Sequence, residues 1–285
     1  MQFDSVTPLQ YFASLVAEDN SLALTEAAVS VAQDEHPGLD AQAVLSEIDQ
    51  LAERLNRRIP ADAAPLQRLR MLNQYFFTEL GFAGNVNDYY DPRNSYLHQV
   101  LATRRGIPIT LALLYMEIAS QVGLPARGVS FPGHFLVKLR LPKGEVVIDP
   151  FTGRSLSREE LDERLAPYRR RQGLLGDHEV PLGLFLQAAT SREVLARLLR
   201  NLKEIHRSAQ EWTRLLLVQQ RLVVLLPDAW EERRDRGLAY AELGQSLLAI
   251  DDLSAYLDHR PAAADAPQLL DRLDELRRSG ARRLH

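Results

Sequence analysis

A repeat spacing near the C-terminus constrains the fold of this chain more than any other feature of its sequence. Pro227 and Pro261 lie 34 residues apart. The residues between them include small, aromatic and branched side chains at Gly237, Tyr240, Gly244, Ala249 and Leu253. Small side chains let two helices approach closely, and a proline cannot continue the second helix. The segment therefore predicts a helical hairpin of defined length that stacks on its neighbours.

A period of 34 residues with this distribution of small and aromatic residues is typical of tetratricopeptide repeats. The preceding 34 residues fit the pattern less well, because Leu202, Leu215 and Leu222 match whereas Lys203 stands where a small residue is expected. An ordinary helical hairpin is the alternative interpretation. We predict an all-α, tetratricopeptide-like domain over residues 190–285, and stacked helix pairs of this kind offer a concave face to a protein partner.

Three kinds of sequence precede the repeats. Apolar residues at spacings of three and four predict helices throughout residues 1–80. A loop rich in Gly, Asn, Asp and Tyr follows, and then a helix, three short strands and a further helix capped by Ser157. We therefore predict an α+β chain: a mostly helical N-terminal part, a core with a small antiparallel sheet over residues 81–180, and the repeats, with a connector at residues 173–183.

Composition excludes several classes of function. A formal charge of −4 gives no electrostatic reason to expect nucleic acid or a membrane surface as a partner. No apolar run approaches the length of a membrane span, and the N-terminus lacks the pattern of a signal peptide, so we expect a cytoplasmic protein. The chain has no cysteine, which excludes disulfides, zinc–thiolate sites and catalysis by a thiol.

The central region carries the residues whose types and order are typical of catalytic chemistry. In order they are Arg105-Gly106-Ile107-Pro108, a helix ended by Gly123-Leu124-Pro125, then His134, then Asp149-Pro150. This is the order of a transglutaminase-like, papain-type core. In such a core a nucleophile at a helix N-terminus lies near amides that stabilise an oxyanion, a histidine takes its proton, and an aspartate orients the histidine.

Five motifs make the resemblance more specific. They are GNVNDYYDPRNSYLHQVL, RRGIPITLALLY, GLPARGV, FPGHFLVKL and VIDPF. Together they resemble the bacterial SirB-type family, whose members join a transglutaminase-like domain to C-terminal tetratricopeptide-like repeats. The resemblance covers most of the chain from about Tyr11. It implies a papain-type α+β core and a helical tail, and it implies no known reaction.

Carried over residue by residue, the resemblance leaves the catalytic set incomplete. His134 matches the family's histidine and Asp149 its aspartate, but the position of the cysteine falls at Pro108 or, with a shift of two residues, at Thr110. Proline has no nucleophilic group. The threonine hydroxyl is far less ionised than a thiol near neutral pH, so Thr110 as nucleophile would depend heavily on its base.

Each candidate also has a structural interpretation. His134 could order the turn after Gly133, and Asp149 could cap a turn opened by the Asp-Pro pair. If residues 135–141 and 145–149 form a simple hairpin, Asp149 lies across from about Val137, and a bulge or offset is needed for it to meet His134. Thr110 is typical of a helix start.

The polar loop before the core supplies four candidate binding residues: Asp91, Asn94, Ser95 and His98. Loops on a rigid scaffold concentrate binding residues, whereas Asp and Asn also bond their own backbone. Asn94 or Ser95 could cap the following helix, and we favour that role for Ser95. The spacing of Asp91, His98 and His134 requires no metal, so we expect neither a metal nor a cofactor.

Two hypotheses for the function follow. The first is a noncatalytic module that keeps the cleft of a transglutaminase-like domain, which could hold a small molecule or a peptide, and binds a protein partner through its repeats. The second is a hydrolase or acyl transferase in which His134 and Asp149 activate a hydroxyl or a water.

Overall fold

The structure is a computed structural model that describes residues 6–174 and 180–282. The chain divides into two compact units. One unit is Leu15–Leu198, and the other joins the residues up to Ser14 to the chain from Leu199 onward. The predicted boundaries at residues 80, 180 and 190 remain predictions, and residues 175–179 of the predicted connector lie outside the described residues.

Helices dominate both units, as the apolar spacing predicts. In chain order they are α1 (Pro8–Leu15), α2 (Leu24–Ser30), α3 (Ala41–Asn56), α4 (Pro65–Asn73), α5 (Leu97–Thr103), α6 (Pro108–Gln121), α7 (Arg158–Gln172), α8 (Leu182–Phe185), α9 (Ser191–Ser208), α10 (Trp212–Leu225), α11 (Trp230–Glu242), α12 (Ser246–His259) and α13 (Ala266–Arg282). Short 3-10 turns at Asp19–Ser21, Val31–Asp34 and Pro92–Ser95 and a π-helical turn at Gln74–Glu79 complete them.

The larger unit contains the predicted antiparallel sheet. Its strands are β3 (Ala126–Val129), β4 (Leu136–Leu141), β5 (Gly144–Asp149) and β6 (Arg154–Leu156), hydrogen-bonded in that order. A two-residue loop, Pro142-Lys143, joins β4 to β5. The fourth strand, β6, has no counterpart in the prediction. A separate two-residue parallel pair joins β1 (Ala83–Gly84) to β2 (Arg105–Gly106).

The centre of this unit is α6, which is buried on nearly every side. Its apolar residues pack against α3 and against strands β3 and β4. A helix that is hydrophobic all round must lie inside a core. The other face of the sheet packs on α7, where Val147 and Leu156 join Leu161 and Leu165 in one apolar cluster. Ser157 caps α7 with a reciprocal capping box to Glu160, as the sequence predicts.

The smaller unit stacks helices α10 to α13 in succession, each packed against the next. Gly237 in α11 is where the small residue of the repeat is required, because a Cβ atom there would lie 3.0 Å from Asp252 and Leu253 of α12. Tyr240, Ala249, Leu253 and other predicted repeat residues lie in its core. The prediction of a helical repeat domain is confirmed.

In the described part of the chain, no helix combines the length and the apolar character that a membrane span requires.

Candidate functional site

A tight turn between β3 and β4 presents His134. Pro132 and Gly133 occupy its centre, Gly133 has a φ of 72°, and the His134 N–H donates to the Phe131 carbonyl over 3.0 Å. Proline followed by a residue with positive φ is the signature of a type II turn, and glycine adopts that φ without strain. The sequence Phe131-Pro132-Gly133-His134 therefore fixes the imidazole at the start of β4, just outside the strand.

Asp149 is the last residue of β5. Ile148 pairs with Val137, so the observed register differs by one residue from the approximate prediction. His134 precedes β4, and its side chain reaches the end of β5: His134 Nε2 lies 2.8 Å from Asp149 Oδ1. The two residues meet because the imidazole stands on a turn, where it is free of the side-chain alternation that strand pairing imposes.

The Asp149 carboxylate accepts three hydrogen bonds. Its Oδ1 accepts from His134 Nε2 and from the Phe151 N–H over 3.0 Å, and its Oδ2 accepts from Arg164 Nη1 over 3.1 Å. Burial by itself raises the pKa of Asp149, but the hydrogen bond and charge of His134, together with Arg164 and the Phe151 N–H, lower the pKa to about 2. Asp149 is therefore ionised at neutral pH.

That ionisation sets the tautomer of His134. An ionised carboxylate only accepts hydrogen bonds, so Nε2 carries the proton that it donates to Asp149. Nδ1 of a neutral ring is then the acceptor nitrogen. The His134 side chain is 23% exposed, whereas the Asp149 side chain is 2% exposed. The pair thus has a buried carboxylate beneath a ring that solvent reaches, an arrangement that can orient a ligand or remove a proton.

The start of α6 corresponds to the nucleophile position of the resemblance. Pro108 is the first residue of the helix, where its missing N–H and fixed φ are favourable. Thr110 is fully buried. Its hydroxyl lies 2.8 Å from the Asn94 carbonyl, to which it donates, and accepts from the Ile107 N–H over 3.2 Å. Hydrogen bonds of this kind are typical of a residue in the first turn of a helix.

Strand β1 and the residue after it link the segment after Asp149 to the segment before α6 through backbone hydrogen bonds. The Gly84 N–H donates to the Phe151 carbonyl over 2.9 Å, and the Asn85 N–H donates to the Gly106 carbonyl over 2.9 Å. A Cβ atom on Gly84 would lie 2.3 Å from the Phe151 ring, so only glycine fits here without a shift. The Phe151 ring in turn packs edge-on against His134, with centroids 6.5 Å apart.

Two of the four candidate loop residues hold the loop together. Asn94 is buried, and its side chain bonds the Asn85 amide and the Asp88 carbonyl over 3.0 and 2.7 Å. Asp91 caps the 3-10 turn through the Arg93 N–H and pairs with the Arg93 guanidinium, which holds the pKa of Asp91 below its usual value. These contacts order the loop.

Ser95 and His98, the other two candidate loop residues, have different surroundings. Neither Asn94 nor Ser95 caps α5: both lie in the preceding 3-10 turn, and Tyr96 occupies the N-cap, so the prediction for Ser95 was wrong. The Ser95 hydroxyl is buried without a hydrogen-bond partner among the described residues. The His98 ring packs against His36, 4.7 Å away, and burial first and His36 second lower its pKa.

Sequence reasoning missed Arg164, which completes the acceptor set of Asp149. Arg164 lies two turns into α7, and only the packing of that helix on the sheet brings it to the end of β5. No local motif signals this contact. Phe151, by contrast, belongs to the VIDPF motif, and its N–H donates to Asp149 in the turn that the Asp-Pro pair opens.

Comparison with known families agrees with this architecture. Residues 42–200 match the description "Transglutaminase-like superfamily", and residues 202–274 match "Tetratricopeptide repeat". The chain belongs to the transglutaminase-like superfamily. The predicted combination of such a domain with C-terminal repeats is confirmed.

Proteins that are similar to this chain over most of its length define a narrower family within the superfamily. A UPF0162 protein of Xylella fastidiosa strain 9a5c is 39% identical over 91% of this chain and 92% of its own. The UPF0162 protein PA3419 of Pseudomonas aeruginosa is 32% identical, covering 92% and 94%. The UPF0162 protein YchA of Escherichia coli K12 is 28% identical, covering 86% and 89%. The predicted SirB-type resemblance is thereby confirmed. No solved structure matches the chain significantly.

Proposed function

We propose that this protein is a noncatalytic binding module of the cytoplasm, in which a transglutaminase-like domain without a nucleophile accompanies a repeat domain that holds a protein partner. The observation that carries the proposal is the start of α6. The chain has no cysteine, Pro108 has no reactive group, and the Thr110 hydroxyl is engaged with the backbone of Asn94 and Ile107.

The environment of Thr110 weighs against its use as a nucleophile. A nucleophilic hydroxyl must pass its proton to a base and approach a carbonyl carbon. The Thr110 hydroxyl donates to a main-chain carbonyl and is fully buried. Freeing it would remove the side-chain hydrogen bond that caps the first turn of α6.

The His134 and Asp149 pair has a positioning role in this proposal. Asp149 ties the end of β5 to the turn before β4 through His134 and to α7 through Arg164. The partly exposed ring of His134 and the adjacent Phe151 would provide a polar and an aromatic surface for a peptide or a small molecule. The repeats supply the surface for the protein partner.

The test is affinity capture with the intact chain from its native cell, followed by amide hydrogen exchange on the complex. We expect one defined protein to be enriched, and its binding to slow exchange in the repeat helices α10 to α13. A His134→Ala chain should capture the same protein, because His134 lies outside the repeat unit. Protection confined to the turn at His134 would contradict the assignment of the partner surface.

A second function rests on the 2.8 Å contact between His134 and Asp149. With Nε2 held by the carboxylate, Nδ1 is the nitrogen that could take a proton from a water as that water attacks an acyl carbonyl. The ring would then return the proton to the leaving group as the carbonyl–leaving-group bond breaks. This would make the protein a hydrolase that uses water directly.

Hydrolysis of a panel of acyl esters and amides distinguishes the two functions. The noncatalytic module predicts no turnover above the rate of the His134→Ala variant. Turnover that falls by about 100-fold or more in His134→Ala would instead establish the hydrolase, since general base catalysis contributes at least that much. Arg154→Met, an exposed change at the start of β6, is the matched control and should leave any rate unchanged.

A further inference from the structure

A cavity in the repeat unit lies among helices α9, α10 and α11. Its volume is about 270 Å³, and all of its lining residues lie beyond Leu199, within the repeat unit. Its lining residues are Lys203, Arg207, Trp212, Leu215, Gln219, Asp235, Leu238, Ala239 and Glu242.

Gln219 of α10 is the unusual member of this lining. Its side chain is fully buried, and neither Oε1 nor Nε2 has a hydrogen-bond partner among the described residues. Buried polar side chains are hydrogen-bonded in the large majority of cases. The adjacent Gln220, on the same helix, bonds the Tyr240 hydroxyl over 3.4 Å. Both atoms are closed off from water, so a rotation of the Gln219 side chain toward the cavity that it lines would let a ligand satisfy them.

The charged groups of the lining are already paired. Lys203 Nζ lies 2.7 Å from Glu232 Oε2 and 2.5 Å from Asp235 Oδ2. Arg207 pairs with Glu204, and Glu242 with Arg272. An ionic ligand would have to displace one of these partners, so the free hydrogen-bonding capacity that the cavity offers is that of a neutral amide. This favours an uncharged occupant.

The donor and acceptor groups of the Gln219 amide determine which ligand group complements it. The Gln219 side chain offers an N–H donor and a carbonyl acceptor side by side, and a primary carboxamide presents the same two functions in the reverse order. Two hydrogen bonds can then form in one planar pair. Trp212, Leu215 and Leu238 supply apolar walls for a short methylene chain. A carboxylate could only accept, and an ammonium could only donate.

We propose that the cavity is a binding site for an uncharged primary carboxamide, held by a reciprocal amide pair with Gln219. Its occupant is the side chain of an asparagine or glutamine in an extended segment of the partner. This assignment of the occupant rests on the proposed function, because it takes the repeats as the partner surface. The complementarity to a carboxamide depends on the cavity alone.

The experiment is a titration of the intact, isotopically labelled chain with butyramide, a primary carboxamide with a short apolar arm, followed by NMR. We expect saturable shifts of the Gln219 side-chain amide and the Trp212 indole resonances. Butyrate, which has the same shape and a negative charge, should bind at least about tenfold more weakly, as expected when an acceptor-only group faces an N–H donor and a carbonyl.

Two variants and one control test the role of Gln219. Gln219→Met should weaken butyramide binding by about tenfold or more, a loss consistent with the removal of two hydrogen bonds. Gln220→Met, its neighbour in sequence, should leave binding within about twofold, because Gln220 lies outside the cavity lining. Leu238→Trp fills the cavity without changing Gln219, and it should abolish binding even if Gln219→Met does not fold.

Several results would overturn the proposal. They are the absence of saturation, equal binding of butyrate and butyramide, unchanged binding in both cavity variants, or a crystal structure in which only water bonds the Gln219 amide at high butyramide concentration. Because the probe is a pure compound, this test does not need the partner. Failure to capture a protein would refute the proposed function, whereas failure to bind butyramide would refute the site.

Discussion

Asp149 in the larger unit and Glu232 in the repeat unit are both buried carboxylates in polar clusters, and the two clusters are built differently. Asp149 in the larger unit accepts from an imidazole, a guanidinium and a backbone N–H. Glu232 in the repeat unit accepts from Arg200 Nε over 2.8 Å and from Lys203 Nζ over 2.7 Å, all of them side chains on helices.

The difference lies in how freely the donors can find other partners. The Phe151 N–H is fixed by the turn that follows β5, so it cannot leave Asp149. Lys203 also pairs with Asp235, and the Arg200 side chain is half exposed. The first cluster therefore depends on one acceptor, whereas the second shares its charges among several groups. The first three predictions below test this contrast and the fourth concerns the unpaired amide of Gln219, in order from the largest effect to the smallest.

Asp149→Ala should lower the free energy of unfolding by about 3 kcal/mol, because it removes the buried acceptor of three hydrogen bonds, one of them from an N–H that the turn holds in place. Chemical denaturation of the intact chain measures the loss. The exposed pair of Arg57 and Glu53 gives the control, since Glu53→Gln should cost less than about 0.5 kcal/mol. Equal, small losses for both variants would show that the Asp149 cluster contributes no more than a surface pair.

Glu232→Ala should cost less, about 2 kcal/mol, although Glu232 is also buried. Lys203 retains Asp235 and Arg200 turns to solvent, so fewer donors lose their partner. The comparison is made under the same denaturation conditions. A larger loss for Glu232→Ala than for Asp149→Ala would reverse the contrast between the two clusters.

Acid should remove the contribution of Asp149. The pKa of Asp149 is about 2 in the folded chain and 3.8 for an ordinary aspartate, so the folded state binds its proton less tightly. The resulting stability, about 2 kcal/mol, is present above pH 4 and is lost as the pH falls from about 4 to about 2. Denaturation of wild type and Asp149→Asn across this range should give curves that converge. Parallel curves would mean that Asp149 has an ordinary pKa in the folded protein.

Gln219→Met should have the smallest effect on stability and the opposite sign. Replacing an unpaired buried amide with an apolar side chain of similar length removes a desolvation cost, so the variant should be as stable as wild type or more stable by up to about 1 kcal/mol. Gln220→Met, which breaks a long bond to Tyr240, should not stabilise the chain. A loss above about 1 kcal/mol in Gln219→Met would show that the amide has a partner inside the fold.

The sequence by itself determined the features that depend on neighbours along the chain. The 34-residue spacing and Gly237 predict helix pairs, because close helix packing restricts side-chain size at fixed intervals. The Pro132-Gly133 pair predicts the turn that holds His134, and Ser157 with Glu160 predicts the start of α7. The absence of a thiol nucleophile is likewise visible in the sequence, since the chain contains no cysteine.

Only the tertiary structure decided which distant residues meet. The register of a simple hairpin argued against contact between His134 and Asp149, yet the turn before β4 brings the imidazole to the carboxylate. Arg164 reaches the same carboxylate only because α7 packs on the sheet, and Lys203, an apparent mismatch in the repeat, is a partner of Glu232 and Asp235. Burial of a charge demands a partner, but the packing of helices and sheet, which no local pattern encodes, determines which partner is within reach.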